Sequence, residues 1–161
     1  MTFELSENTK KQIDHWLTKY PADQRRSAVV ASLLLAQEQN GNYLSEAAMK
    51  AVADYLKIPH VEAYEVATFY DQYNLKPIGK HKIAVCTNIS CMLRGSEEIV
   101  GYLEDRLKIK MGETTHDQKF TLCEVECMAA CGGAPMCQID DKNYHENLTP
   151  KLLGKILDEL T

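Results

Sequence analysis

Apolar residues recur every three or four positions through the first half of the chain, a spacing typical of amphipathic helices. Ser6 and Ser45 precede two of these segments as predicted N-caps, and Pro59 is the predicted first residue of another. Asn40 and Gly41 form a left-handed stop signal after the second segment. The predicted helices span 6–20, 22–39, 45–56 and 59–70. Four short helices joined by short loops predict a small helical bundle.

The aromatic residues near the end of this bundle are predicted to lie in its core rather than on an interaction surface. They are Tyr64, Phe69, Tyr70 and Tyr73. The bundle sequence carries neither a metal-ligand set nor a catalytic cluster, so residues 1–75 are predicted to form an interaction domain.

The helical periodicity breaks between Leu75 and Lys80, where Pro77 and Gly79 fall, and we place the domain boundary between residues 75 and 76. Beyond it, short alternating segments predict strands separated by helices. The predicted elements are strands over 81–86, 119–125, 134–139 and 143–145, a helix over 96–107 capped by Ser96, and a final helix opened by Thr149 and Pro150. The predicted fold class is therefore α+β, with a helical bundle followed by a sheet-containing domain over 76–161.

The composition is that of a globular protein, with 45% hydrophobic and 25% charged residues. A net charge of -5 and scattered basic residues argue against binding to nucleic acid. The longest apolar run, 28–36, is far shorter than the roughly 20 residues that cross a bilayer. The acidic first residues do not resemble a transit or secretory leader, so we expect a cytoplasmic protein without direct membrane insertion.

Cysteine spacing is the strongest chemical signal in the sequence. Cys86 and Cys91 follow a predicted strand, and Cys127 and Cys131 follow another. Four thiolates in two pairs are a ligand set suited to a 2Fe-2S cluster. The equal spacing of Cys123, Cys127 and Cys131 leaves open which adjacent pair supplies the second set of ligands.

Other uses of these cysteines, and other cofactors, are less well supported by the sequence. Disulfides are rare in the reducing compartment expected here, whereas the spacing does not exclude structural zinc. The five histidines are dispersed, which disfavours a Rieske site. The sequence contains no dinucleotide or phosphate-loop fingerprint, so any NADH would bind to another chain. Arg94 is predicted to be a solvated surface residue, with compensation of cluster charge as the alternative.

The motif around the second pair is Asp117-x-x-Phe120-Thr121, five residues, then Cys127-x-x-x-Cys131-x-x-Ala134-Pro135. It is preceded by Cys86-x4-Cys91-x-Leu93-x-Gly95 and by the segment 65–70. Together these motifs resemble the NuoE-type 2Fe-2S subunit of respiratory complex I. The resemblance implies a thioredoxin-like domain over 76–161 and the ligand set Cys86, Cys91, Cys127 and Cys131. Under this resemblance Cys123 and Cys137 are not cluster ligands. The chain departs from the family at Met128-Ala129, where the family usually has Leu-Gly.

The resemblance also implies a function. The chain would be the electron-transfer subunit of the NADH-dehydrogenase module of NADH:quinone oxidoreductase, a translocase, with no complete active site of its own. One 2Fe-2S cluster would exchange single electrons with FMN on a NuoF-type flavoprotein subunit, which binds NADH and carries a 4Fe-4S cluster. A NuoG-type subunit is a further implied partner. The protein is expected in the bacterial cytoplasm, where the complex would hold it peripheral to the inner membrane. Whether the isolated chain forms a homodimer stays open.

Two alternative functions remain at this point. The first is the equivalent small subunit of an NAD-linked hydrogenase or formate dehydrogenase, which shares these motifs. The second, from a different class, is a zinc-stapled interaction module without electron transfer.

Overall fold

A computed structural model describes residues 3–160 and divides the chain into two compact units. Unit 1 is Met1–Pro77 and unit 2 is Ile78–Thr161. Each unit has its own buried apolar core.

Unit 1 contains the four predicted helices, and two of them begin at the predicted caps. They are α1 (Glu7–Leu17), α2 (Val29–Gln39), α3 (Glu46–Leu56) and α4 (His60–Phe69). The Ser6 hydroxyl accepts a hydrogen bond from the Thr9 N–H, and the Ser45 hydroxyl accepts one from the Ala48 N–H. Each bond satisfies an N–H group that the first turn of a helix leaves free.

Two predicted helix starts are wrong. The second helix begins at Val29 rather than residue 22, and a short 3-10 turn precedes it, in which Arg25 donates to the carbonyls at the end of α3. Gln24 offers no side-chain cap at this point. Pro59 is the capping residue before α4 rather than its first residue.

The prediction that the bundle aromatics lie in the core is wrong for three of the four. Tyr73 is buried, and its hydroxyl donates to the Val30 carbonyl at 2.9 Å. The inner face of α4 is made by Ala63 and Ala67, one turn apart and almost fully buried. The large side chains of α4 and the residue after it therefore lie on the exposed face: Tyr64, Phe69 and Tyr70.

Unit 2 is built on a four-stranded mixed sheet with the order β2-β1-β3-β4. The strands are β1 (His81–Cys86), β2 (Phe120–Val125), β3 (Cys137–Ile139) and β4 (Asn143–His145). β1 is parallel to β2 and antiparallel to β3, and β4 is antiparallel to β3. The helices are α5 (Ile89–Leu93), α6 (Ser96–Leu107) and α7 (Pro150–Glu159). The α+β class is thus confirmed.

Besides a one-residue shift at the start of β2, three details of unit 2 differ from the sequence prediction. The third strand begins at Cys137 rather than Ala134, since Pro135 has no N–H to donate to a ladder. Ser96 is the first residue of α6, and Gly95 caps it with a φ of 95°, which favours glycine. The short helix α5 was not predicted.

The period of two along the strands gives the sheet two different faces. Ile83, Val85 and Leu122 pack in one core with residues of α6 and α7. Ala84 and Cys86 point to the other face, where they form a small cluster with Cys91, Met128, Ala134 and Met136. Within residues 3–160, no helix has both the length and the apolar character that crossing a membrane requires.

Candidate metal centre

The first cysteine pair lies at the carboxyl end of β1. Cys86 is the last residue of the strand, and the Asn88 side chain caps α5 by accepting from the Ile89 N–H. Cys91 lies within this short helix. The Cys86 and Cys91 side chains are both buried, and they belong to the same small cluster.

The environment of the first pair keeps the Cys91 thiol protonated in the absence of metal. Burial, followed by the neighbouring Cys86 thiol, raises the pKa of Cys91 to about 11. A metal must therefore displace a proton on binding, as is usual where thiolates are ligands. The backbone N–H of Met136 acts in the opposite direction, because it donates toward the Cys91 sulfur.

The second pair follows β2, the parallel neighbour of β1, on a loop at the same end of the sheet. Cys127 and Cys131 are both exposed. The Ala129 N–H donates to the Cys127 sulfur at 3.3 Å, and Ala129 adopts a left-handed φ of 56° to do so. Cys131 begins a short 3-10 turn that ends at Gly133. This loop thus already directs a backbone donor at a sulfur.

The structure brings the four predicted ligands to one end of the sheet with different degrees of closeness. Cys86 and Cys91 pack in one buried cluster, and both Cys86 and Cys131 contribute to the raised pKa of Cys91. Cys127 is exposed and lies in the loop that follows β2, four residues before Cys131. Among residues 3–160, no three His, Cys, Asp or Glu side chains converge on a position for one metal ion. A 2Fe-2S cluster needs no such triple, because each iron takes two thiolates.

The strand register separates the two other cysteines from this site to different degrees. Cys137 pairs with Val85 and lies on the opposite face of the sheet, where burial raises its pKa to about 12. Cys123 pairs with Ala84 and lies on the same face as Cys86. It is partly buried, and its thiol contacts the Ile83 carbonyl at 3.6 Å.

Two glycines beside Cys131 have unequal surroundings. A Cβ atom on Gly133 would collide with the Glu146 side chain, whereas one on Gly132 would meet no atom within 4 Å. The Gly133 carbonyl also accepts from the Asn147 N–H at 2.6 Å. The absence of a side chain at Gly133 therefore leaves room for the segment after β4. The side chain that comes close to Gly133 is that of Glu146 and not that of a cysteine.

The residues present fit a 2Fe-2S cluster. The donor set is two pairs of thiols, which are the ligands that such clusters take. Backbone N–H groups point at Cys127 and Cys91, and hydrogen bonds of this kind stabilise the negative charge of an iron-sulfur centre. One pair is buried in an apolar cluster and the other faces the surface.

The sheet order and the thiol pairs after two parallel strands define the class, a thioredoxin-like domain with a cysteine-lined site. The chain belongs to the thioredoxin-like [2Fe-2S] ferredoxin family, whose profile matches residues 13–161. It is similar to the E-type subunit of NADH-quinone oxidoreductase from Rickettsia conorii, with 51% identity over 144 residues, 89% of this chain and 86% of that protein. The resemblance drawn from the cysteine motifs is confirmed.

Two further relatives extend the comparison. The mitochondrial NADH dehydrogenase [ubiquinone] flavoprotein 2 of Dictyostelium discoideum is 44% identical over 158 residues, 98% of this chain and 64% of that protein. The crystal structure of an NAD+-reducing [NiFe]-hydrogenase matches 80% of this chain and 22% of its own with a TM-score of 0.68. At 19% identity this second likeness concerns the fold alone.

Proposed function

We propose that this chain is the electron-transfer subunit of the NADH-dehydrogenase module of an NADH:quinone oxidoreductase. One 2Fe-2S cluster would be held by Cys86, Cys91, Cys127 and Cys131. The observation that carries the proposal is the placement of two thiol pairs after adjacent parallel strands, on a chain 51% identical to a protein that is named as part of that enzyme.

The protein's own residues prepare the site for electron exchange. A bound 2Fe-2S cluster supplies a one-electron redox centre. The apolar cluster around Cys86 and Cys91 keeps water from one side of the site. Cys127 and Cys131 are exposed, which leaves the other side close to the surface that a redox partner can approach. Backbone N–H groups are already aimed at two of the sulfurs, so little reorganisation is needed when charge arrives.

The redox partner would be a NuoF-type flavoprotein subunit that binds NADH and FMN, with a NuoG-type subunit in the same module. The sequence of this chain has no dinucleotide fingerprint, which supports cofactor binding on another polypeptide. Exposed apolar side chains support stable association. Ile89 and Leu93 on α5 are 67% and 77% exposed beside the cysteine site, and Phe69 of the bundle is 77% exposed. Through such a complex the chain would lie at the inner membrane of a bacterium.

The test compares two thiol deletions on the same segment, in the chain produced together with its flavoprotein partner. Cys127→Ala is expected to lose most of the bound iron, to impair flavin reoxidation and to lower the yield of the complex. Cys123→Ala, four residues earlier, should leave all three quantities near those of the unaltered complex. Unchanged iron content, flavin kinetics and yield in Cys127→Ala would rule the proposal out.

A further inference from the structure

Arg94 connects the two cysteine-bearing loops. Its backbone N–H donates to the Cys91 carbonyl at 3.1 Å, at the end of α5. Its side-chain Nε donates to the Ala134 carbonyl at 2.9 Å, three residues after Cys131. Arg94 thus donates a hydrogen bond to a carbonyl in each loop. The bond to Ala134 joins residues that lie 40 positions apart in sequence.

The hydrogen-bonded carbonyl of Ala134 lies in a protected place. Ala134 is almost fully buried and packs in the same small cluster as Cys86 and Cys91. Gly95 follows Arg94 with a left-handed φ of 95°, so the chain turns sharply between α5 and α6 at this point. The turn fixes the direction of the Arg94 backbone, and the side chain spans to the second loop. A hydrogen bond from a charged donor is stronger than a neutral one.

The charge of Arg94 is not neutralised by a local carboxylate. The ion pairs found between residues in the described part of the chain do not include Arg94. A guanidinium stays protonated at any ordinary pH. Arg94 thus places a fixed positive charge where the two cysteine-bearing loops are hydrogen-bonded to one residue, and such a charge favours a state in which the nearby site gains negative charge.

We propose that Arg94 is a positioning residue, which fixes the spacing between the two cysteine loops and stabilises the added negative charge of one-electron reduction. The inference rests on the proposed function, because it presumes a cluster held by both loops. Arg94 is exposed, as the sequence predicts for a surface residue, yet its Nε is committed to a backbone carbonyl.

The test uses the purified full chain with its cluster and three variants. Arg94→Met removes the donor and the charge, and Arg94→Lys keeps the charge but loses the rigid, directional Nε–H. Arg25→Met is the matched control, because the Arg25 Nε also donates to a backbone carbonyl, that of Leu56, in unit 1. The measurements are the rate of iron release to a chelator and the midpoint potential from an EPR-monitored dithionite titration.

Arg94→Met should release iron about tenfold faster, the effect of losing one charged hydrogen bond, and its potential should be more negative. Arg94→Lys should release iron faster than the unaltered protein but keep its potential. Arg25→Met should change neither quantity. Unaltered release and potential in Arg94→Met, or equal changes in Arg25→Met, would overturn the inference alone. Absence of a cluster from the unaltered chain would overturn the proposed function itself.

Discussion

Ala129 occupies a backbone conformation that residues with a Cβ rarely adopt. Its φ of 56° lies in the left-handed region, between Cys127 and Cys131. The conformation allows its N–H to reach the Cys127 sulfur. A left-handed alanine costs roughly 1–2 kcal/mol, because its Cβ crowds the following carbonyl oxygen. The resemblance to the NuoE-type subunit places a glycine here, and the geometry explains why glycine suits the position.

Replacement of this alanine by glycine should stabilise the protein. Ala129→Gly removes the left-handed cost, and the greater entropy of glycine in the unfolded chain offsets part of that gain. The net expectation is about 0.5–1 kcal/mol of added unfolding free energy. Urea denaturation of the metal-free chain measures it.

The neighbouring residue supplies the control for this prediction. Ala130 has a φ of -109°, which alanine adopts without strain. Ala130→Gly should therefore destabilise the chain by about 0.5–1 kcal/mol, through entropy alone. Equal destabilisation by both substitutions would show that Ala129 stores no strain.

Individual residues differed in how far the sequence could predict their roles. Spacing alone did not separate Cys123 from Cys127, and the ligand set stays a prediction. The strand register supports the prediction that Cys137 is not a ligand, since pairing with Val85 turns it to the opposite face of the sheet. The contact of Arg94 with Ala134 could not be predicted, because no local pattern signals a bond over 40 positions.

Elements with local start signals were predicted well. The caps Ser6, Ser45 and Thr149 each accept the expected backbone hydrogen bond, and the strands over 81–86 and 143–145 have the predicted bounds. Helix α5 was missed because five residues are too few to display helical periodicity. The sequence prediction placed the wrong face of α4 in the core, because it assumed that the large aromatic side chains are buried. Small alanines form the inner face instead.

Tyr73, in the segment that follows α4, donates a hydrogen bond to α2. Its burial should make the stability of unit 1 fall at alkaline pH. Burial raises the pKa of Tyr73 from 10.0 to about 12. The folded state therefore holds the phenolic proton more tightly than the unfolded state does. The stabilisation is complete below pH 10 and is lost as the pH rises from 10 to 12.

The alkaline loss can be followed in unit 1 alone, because Trp16 is the chain's single tryptophan and packs against the core of that unit. Urea unfolding monitored by Trp16 fluorescence should show falling stability above pH 10. Tyr73→Phe should flatten that decline and cost about 1 kcal/mol at neutral pH, through the lost hydrogen bond to Val30. Parallel declines in the two proteins would contradict a role for Tyr73.

At the scale of the whole molecule, the two units have different chemical content. All six cysteines fall in unit 2, at or near its sheet. Unit 1 contributes an apolar core and several exposed aromatic side chains. This difference is consistent with a cofactor-binding domain accompanied by a domain for protein contacts. The family of unit 2 could be inferred from the sequence because the cysteine motifs are short, local and chemically distinctive.

The four thiols of Cys86, Cys91, Cys127 and Cys131 are proposed to hold one 2Fe-2S cluster, and the function depends on it. EPR of the dithionite-reduced full chain, combined with an iron and sulfide count, tests this most directly. We expect about two irons and two sulfides per chain, with a one-electron paramagnetic signal that Cys137→Ser leaves unchanged. A colourless, EPR-silent protein that contains zinc, or one that lacks inorganic sulfide, would contradict the assignment.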